Sequence, residues 1–308
     1  MSRILVIGAS GQIGSELVDA LADVHGESSI VAADLRAPAK PTRVEFVVLD
    51  TLDGAMLREV VARHRIEQVY QLAALLSARG EAAPIATWTL NVNGLLNVLE
   101  LAREGSVQRV FWPSSIAAFG PHSPRDRTPQ SAVMDPGTMY GISKVAGERL
   151  CEYYFSRFGV DVRSVRYPGV IGGAAPPGGG TTDYAIEMFE AAKRGQAYRC
   201  FLAPDTRLPM IYMADALRAV LELMAADATR LQVRSSYNLA GCSFTPAELQ
   251  AAIRRHAPGF EVIYAPDFRQ AIADSWPRSI DDRDARRDWG WKPEFDFEHL
   301  VAHMWETS

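Results

Sequence analysis

Apolar positions in the first half of the chain follow two rhythms that alternate. Short runs rich in β-branched residues, RILVIG (3–8), IVAAD (30–34), VEFVVL (44–49), QVYQLA (68–73), QRVFWPSS (108–115) and VDVRSVRY (160–167), read as strands buried on both faces. Between them lie helical patterns. In the first, Ile13, Leu17, Leu21 and Val24 recur at spacings of four and three, which predicts one apolar face. Strand and helix in strict alternation predict an α/β architecture with a doubly wound parallel sheet. Its ligand crevice is expected at the carboxyl ends of the strands.

After Tyr167 the rhythm breaks into loops, isolated strands and short helices. This predicts a smaller C-terminal substrate lobe, with residues 1–168 as the dinucleotide-binding domain. Residues 169–308 then form mainly the substrate lobe, with some segments returning to the first domain. Within that lobe TPAEL (245–249) predicts a helix start, with Thr245 as N-cap, Pro246 at the first helical position and Glu248 closing a capping box. Trp276, Trp289, Trp291 and Trp305 are expected to seal the same lobe.

Composition narrows the function classes. The 308 residues carry a net charge of −5, without a basic block or a basic–aromatic stripe, which argues against a nucleic-acid partner. No run reaches the length of a membrane span, and the chain enters its first strand directly after MSR, so no leader is expected. Cys151, Cys200 and Cys242 are far apart and odd in number, which predicts free thiols in a reducing, cytoplasmic setting.

GASGQIG places Gly8, Gly11 and Gly14 after the first strand and at the start of a helix, with Gln12 and Ile13 between the last two. A tight turn, close approach to a pyrophosphate and close helix–strand packing all require small residues there, and the helix N-terminus favours the phosphate charge. This is a Rossmann-type signature in a G-x-x-G-x-x-G spacing. Asp34 ends the second strand, where a carboxylate accepts hydrogen bonds from the adenosine ribose and repels a 2′-phosphate. NAD is therefore favoured over NADP, although Arg36 next to Leu35 could pair with that phosphate. In YGISK (140–144), Tyr140 and Lys144 share one helix face. A phenol is a poor base at neutral pH, and a neighbouring ammonium together with the positive nicotinamide ring is expected to lower its pKa. Ser115 ends a strand 25 residues earlier and can orient a substrate alcohol while Tyr140 takes its proton; Ser114 beside it could serve instead.

With these motifs in place, the chain resembles the extended short-chain dehydrogenase/reductase family, which includes nucleotide-sugar epimerases. The resemblance runs through GASGQIG, LAA (72–74), NVNG (91–94), SSIAAFG, YGISK, RYPGVI (166–171) and RLPMIYMADALRA (207–219). It implies Ser115, Tyr140 and Lys144 as the catalytic set and no metal. It also implies Asp50, Leu72, Ala73, Ala74, Asn91, Tyr167 and Pro168 near the cofactor, and a homodimer through helices near 91–103 and 140–158. Phe119 departs from the tyrosine of many relatives. A second, shorter resemblance lies in PPGGGTTDYA (176–185), LLSARGE (75–81) and FLAPDTRLPMIYMADA (201–216), and is to the non-zinc L-threonine 3-dehydrogenases.

That second resemblance implies oxidation of the β-hydroxyl of L-threonine to 2-amino-3-oxobutanoate. The expected substrate groups are backbone N–H donors at Gly179 and Gly180, hydroxyls of Thr181, Thr182 and Ser77, and Asp183 for the ammonium. A plain hinge with a Thr-capped helix starting at Asp183 is the simpler alternative for the loop. Two other functions stay open at this point: a nucleotide-sugar epimerase or dehydratase using the same triad, and a non-catalytic dinucleotide sensor. His299 and His303 are one helical turn apart, but no third ligand is recognisable, so a solvated helix face is expected.

Overall fold

A computed structural model describes residues 2–38, 41–172 and 178–307. Its strands are β1 (Ile4–Ile7), β2 (Ile30–Asp34), β3 (Glu45–Val48), β4 (Gln68–Gln71), β5 (Arg109–Ser115), β6 (Asp161–Tyr167), β7 (Gly169–Ile171), β8 (Tyr198–Cys200), β9 (Leu208–Tyr212), β10 (Tyr237–Asn238), β11 (Cys242–Phe244) and β12 (Val262–Tyr264). Seven of them form one sheet in the order β10-β6-β5-β4-β1-β2-β3, and every pairing in it is parallel. The chain order reverses between β1 and β4, so a crevice opens there at the strand carboxyl ends. Helices cover both faces and leave β1 fully buried, which is why its sequence is apolar at every position.

The first helix, Gln12–His25, departs from its predicted stripe. Its buried residues are Gly14, Leu17, Val18, Leu21 and Ala22, while Val24 is 62% exposed. The face is rotated because Gly14 must lie against the β1 turn: a β-carbon on it would sit 2.1 Å from the Gly8 carbonyl oxygen. That contact sets the helix orientation, and Ile13 and Val24 fall at its edges.

Residues after β6 divide their loyalty. β7, β9 and β11 form a second sheet with β9 in the middle, and β8 pairs with β12 in a third. Helix Met213–Ala225 and strand β10 instead pack with the large sheet, sharing a core with Ile4, Val6, Leu17 and Tyr237. Trp289 and Trp291 belong to that core too, which corrects the expectation that all four late tryptophans seal the small lobe. Only Trp276 and Trp305 pack in the other cluster, around Phe189, Phe201 and Phe244. Both Trp289 and Trp291 stand near β10 because the chain crosses back to the sheet edge, a route no local pattern encodes. The capping box at Thr245 forms as predicted: its hydroxyl accepts from Glu248 N–H at 3.1 Å, and Glu248 accepts from Thr245 N–H at 2.9 Å.

Candidate active site

The glycine turn is held by its own backbone. Gly8 and Ala9 N–H both donate to the Ala33 carbonyl, at 2.9 and 3.0 Å, and Gly11 N–H donates to the Gly8 carbonyl at 3.2 Å. Gly8 adopts φ +84°, and a β-carbon there would lie 2.6 Å from Ala73 N, so only glycine serves. No side chain caps the helix that follows, and its N-terminus opens towards the cavity beside Gly11, Gln12 and Ile13. This is a cradle shaped for a phosphate group. Asp34 is fixed at the end of β2, where its carboxylate accepts from Ser10 N–H at 2.9 Å and Leu35 N–H at 2.8 Å.

From this turn a cavity of about 310 Å³ runs along the sheet's carboxyl edge. It brings together Gly8, Gly11, Gln12, Ile13, Gly14, Leu72, Ala74, Ser77, Ser115, Tyr140, Lys144, Tyr167 and Pro168 with Gly180, Thr181, Thr182 and Asp183. Asp34, Leu35, Arg36, Asp50, Ala73, Asn91 and Gly179 are not part of its wall. Asn91 acts one step back. A π-helical turn, Thr89–Asn93, buries its carboxamide, which accepts from Leu75 N–H at 2.9 Å and donates to the Leu75 carbonyl at 3.1 Å and Ser143 Oγ at 3.0 Å. It thereby orders the segment 72–76 that does line the cavity.

The reacting end sits where helix Met139–Phe158 crosses the tip of β5. Thr138 caps this helix by accepting from Gly141 N–H at 3.1 Å. Gly141 and Gly147 let it approach closely, since β-carbons there would meet the Ala117 carbonyl and the Trp112 ring. Tyr140 is consequently buried, and burial pushes its phenol up to about 12, while the neighbouring Ser115 hydroxyl acts in the opposite direction. This corrects the expected depression by Lys144. The lysine lies 5.4 Å from the Tyr140 ring, donates to the Pro113 carbonyl at 2.6 Å and is itself pushed down to about 7 by burial. Burial disfavours both charges, and it is the largest cause of each shift. Ser115 Oγ accepts from Ala117 N–H at 3.2 Å, which holds the hydroxyl at the strand end.

Behind these groups lies a fully buried pair that the sequence patterns did not single out. Glu148, one turn beyond Lys144, accepts from Arg166 Nε and Nη2 at 2.9 and 2.7 Å and from Ser114 Oγ at 2.6 Å. Ser114 lines the cavity too, but its hydroxyl is donated to Glu148, whereas the Ser115 hydroxyl is not so committed. Arg166 in turn donates to Asn238 Oδ1 at 3.0 Å and the Gln130 carbonyl at 2.9 Å, tying β6 to the returning strand β10.

The loop expected to bind substrate is organised differently from the prediction. Gly179 and Gly180 N–H donate to Asp183 Oδ2 at 2.8 and 2.7 Å, so these donors and that acceptor satisfy one another. Burial raises the Asp183 pKa, and the two glycine N–H bonds lower it. Ser77 Oγ lies 3.1 Å from Thr181 Oγ1 and accepts from Thr181 N–H at 3.3 Å. The simpler Thr-capped-helix alternative is not what forms: the helix is Tyr184–Lys193, and no side chain caps it. Pro176 and Pro177 of the same motif lie outside the described residues. Arg79 and Trp276 also line the cavity and were missed. Arg79 had a signal, as a cation inside the small-residue stretch LLSARGE, whereas Trp276 had none.

No group of three or more His, Cys, Asp or Glu side chains among the described residues could hold a metal. His299 sits on a mostly exposed face, and His303 packs edge-on against Tyr212. Cys151, Cys200 and Cys242 are free thiols.

A seven-stranded parallel sheet with a glycine cradle at its switch point and a Ser/Tyr/Lys set beside it defines a dinucleotide-dependent oxidoreductase class. The description "NAD dependent epimerase/dehydratase family" matches residues 4–240, and the chain belongs to that family. NAD is accordingly its cofactor, and the cradle in which added β-carbons would collide fits it. The mitochondrial L-threonine 3-dehydrogenase of Bos taurus is 46% identical over 305 residues, covering 98% of this chain and 81% of that protein. The GalE-like L-threonine dehydrogenase of Cupriavidus necator, solved in its holo form, superposes with a TM-score of 0.97 at 55% identity over 99% of both chains. A monomeric L-threonine 3-dehydrogenase from a metagenome superposes at 0.95 with 48% identity, over 98% of this chain and 97% of that one.

Proposed function

We propose that this chain is a metal-independent, NAD-dependent L-threonine 3-dehydrogenase. The observation that carries the reading is whole-chain similarity to several such enzymes, extending through the second lobe where the substrate loop lies. Bound NAD supplies the hydride acceptor. Tyr140 takes the proton of the substrate β-hydroxyl, Ser115 orients that hydroxyl, and Lys144 steadies the phenolate side of the site through its position over Tyr140. The β-carbon loses hydride as the hydroxyl loses its proton, and the C–O bond becomes the ketone of 2-amino-3-oxobutanoate. Asp34 selects NAD at the adenosine end.

The division at residue 168 belongs to this reading, with β10 and helix Met213–Ala225 as the segments that return. So does a homodimer formed through helices Gly94–Arg103 and Met139–Phe158, the latter carrying exposed Ile142, Tyr153 and Phe158. One similar solved protein is described as monomeric, so light scattering is the deciding measurement. Among the described residues no helix is long and apolar enough to cross a membrane, and three free thiols suit the cytoplasm.

The test is NADH formation at 340 nm with L-threonine, other β-hydroxy amino acids and sugar nucleotides. L-Threonine should be oxidised with net NADH release. Turnover of a sugar nucleotide without net NADH, and none of threonine, would replace the reading by an epimerase.

A further inference from the structure

A zwitterion entering a half-dry cavity brings a carboxylate and an ammonium, and each needs a partner there. In the loop, Gly179 and Gly180 N–H are engaged with Asp183 and Thr181 with Ser77, so what it still offers the cavity is the neutral hydroxyl of Thr182. Of the residues lining the cavity, Arg79 and Lys144 are the cations. Lys144 donates to the Pro113 carbonyl at the reacting end, where the hydroxyl must sit. Arg79 is on the short helix Ser77–Ala82, against the substrate loop: a β-carbon on Gly179 would come within 3.0 Å of its Nε. Among the described residues its guanidinium has no hydrogen-bond or ion-pair partner. Arg269, which acts electrostatically on Asp183, is forked to Asp267 at 2.6–3.1 Å and lies outside the cavity wall.

We propose that Arg79 recognises the α-carboxylate of the substrate and makes the site selective for free amino acids over their esters and amides; this rests on the threonine reading. The planar guanidinium matches a carboxylate with two parallel N–H bonds, which a hydroxyl pair cannot do. Asp183 then offers the complementary charge. Its Oδ2 is taken by the glycine N–H groups, and its Oδ1 has no hydrogen bond among the described residues. A cation and an anion beside the loop, with Ser115 and Tyr140 lining the same cavity, give the three points that a β-hydroxy amino acid presents.

The test compares L-threonine with L-threonine methyl ester, as substrate or competitive inhibitor, in wild type, Arg79→Met and Arg79→Lys. Arg79→Met should raise the KM for L-threonine roughly 10- to 100-fold, as expected for loss of charged hydrogen bonds, and leave the ester's constant and the NAD Kd in place. Arg79→Lys should restore part of the difference, because it keeps the charge and loses the fork. Equal changes for both compounds, or none, overturn the role of Arg79 while wild-type oxidation of threonine leaves the enzyme reading standing. Wild type that fails to reduce NAD with threonine overturns both.

Discussion

At the glycine turn the cavity is walled by backbone, and at the loop over 178–183 largely by side chains that bond to their own neighbours. The glycine turn needs no side-chain hydrogen bond: Gly8, Ala9 and Gly11 are fixed by main-chain contacts, and any β-carbon on Gly8 or Gly14 collides. The loop over 178–183 is assembled through Asp183 and Ser77, and its chemistry depends on which polar atoms those contacts leave over. One end is determined by sterics, which leave no room for a side chain at Gly8 or Gly14. The other is determined by a hydrogen-bond count, so single changes there should alter affinity more than folding. Between them the reacting groups are buried, which makes their charge states the sensitive quantity.

The largest effect is expected where the two ends meet. Tyr140→Phe should lower kcat about 10²–10⁴-fold, as loss of a general base does, while NAD binding by calorimetry stays near wild type. In wild type the rate should rise with pH above neutrality. Burial holds the Tyr140 phenol up, towards about 12, and in the proposed role the working base is its deprotonated form, so raising pH populates it. A rate that falls steadily from pH 7 to 9 would remove Tyr140 from that role.

A sharper contrast comes from Gly14→Ala. Its β-carbon would meet the Gly8 carbonyl oxygen at 2.1 Å, so the turn or helix must move, at the roughly 1–3 kcal/mol typical of overpacking. NAD affinity and melting temperature should fall together. Normal affinity in a stable variant would show that the cradle is not the cofactor's. Asp34→Ala should weaken NAD by roughly tenfold and narrow its advantage over NADP, since a charged acceptor and the repulsion of a phosphate are both removed. Equal use of the two cofactors by wild type would contradict it.

Thr181→Ala probes the soft end. It removes the hydroxyl facing Ser77 and should raise the KM for threonine severalfold, about what one neutral hydrogen bond contributes, with NAD affinity unchanged. A drop in melting temperature with unaltered threonine kinetics would make the pair a structural clasp alone. Smallest of all, prolonged treatment with a chelator should leave the rate as it was. Activity lost to the chelator and restored by zinc would replace the Ser/Tyr/Lys chemistry with metal catalysis.

Six of the seven strands of the parallel sheet were legible in the sequence because burial on both faces forces apolar, β-branched runs, and each of those predictions lies within two residues of the observed strand; the short β10 was not among them. The glycine turn, Asp34 at the end of β2 and the helical spacing of Tyr140 and Lys144 were legible for the same reason, since each is a local demand on residue type. What only the tertiary structure decided is which groups remain free. That the Ser114 hydroxyl is donated to Glu148 while that of Ser115 is not follows from strands β5 and β6 meeting a helix, not from the dipeptide. That Trp289 and Trp291 pack on the large sheet follows from a chain that crosses back to its edge. In the loop, the glycines and Asp183 carried polar groups of the expected kind in sequence, yet they satisfy one another in space, and among the described residues Arg79 has no hydrogen-bond or ion-pair partner. Residue types and periodicity determine the elements and the inventory of polar groups. Hydrogen-bond saturation depends on distances between residues far apart in the chain, and folding alone decides it.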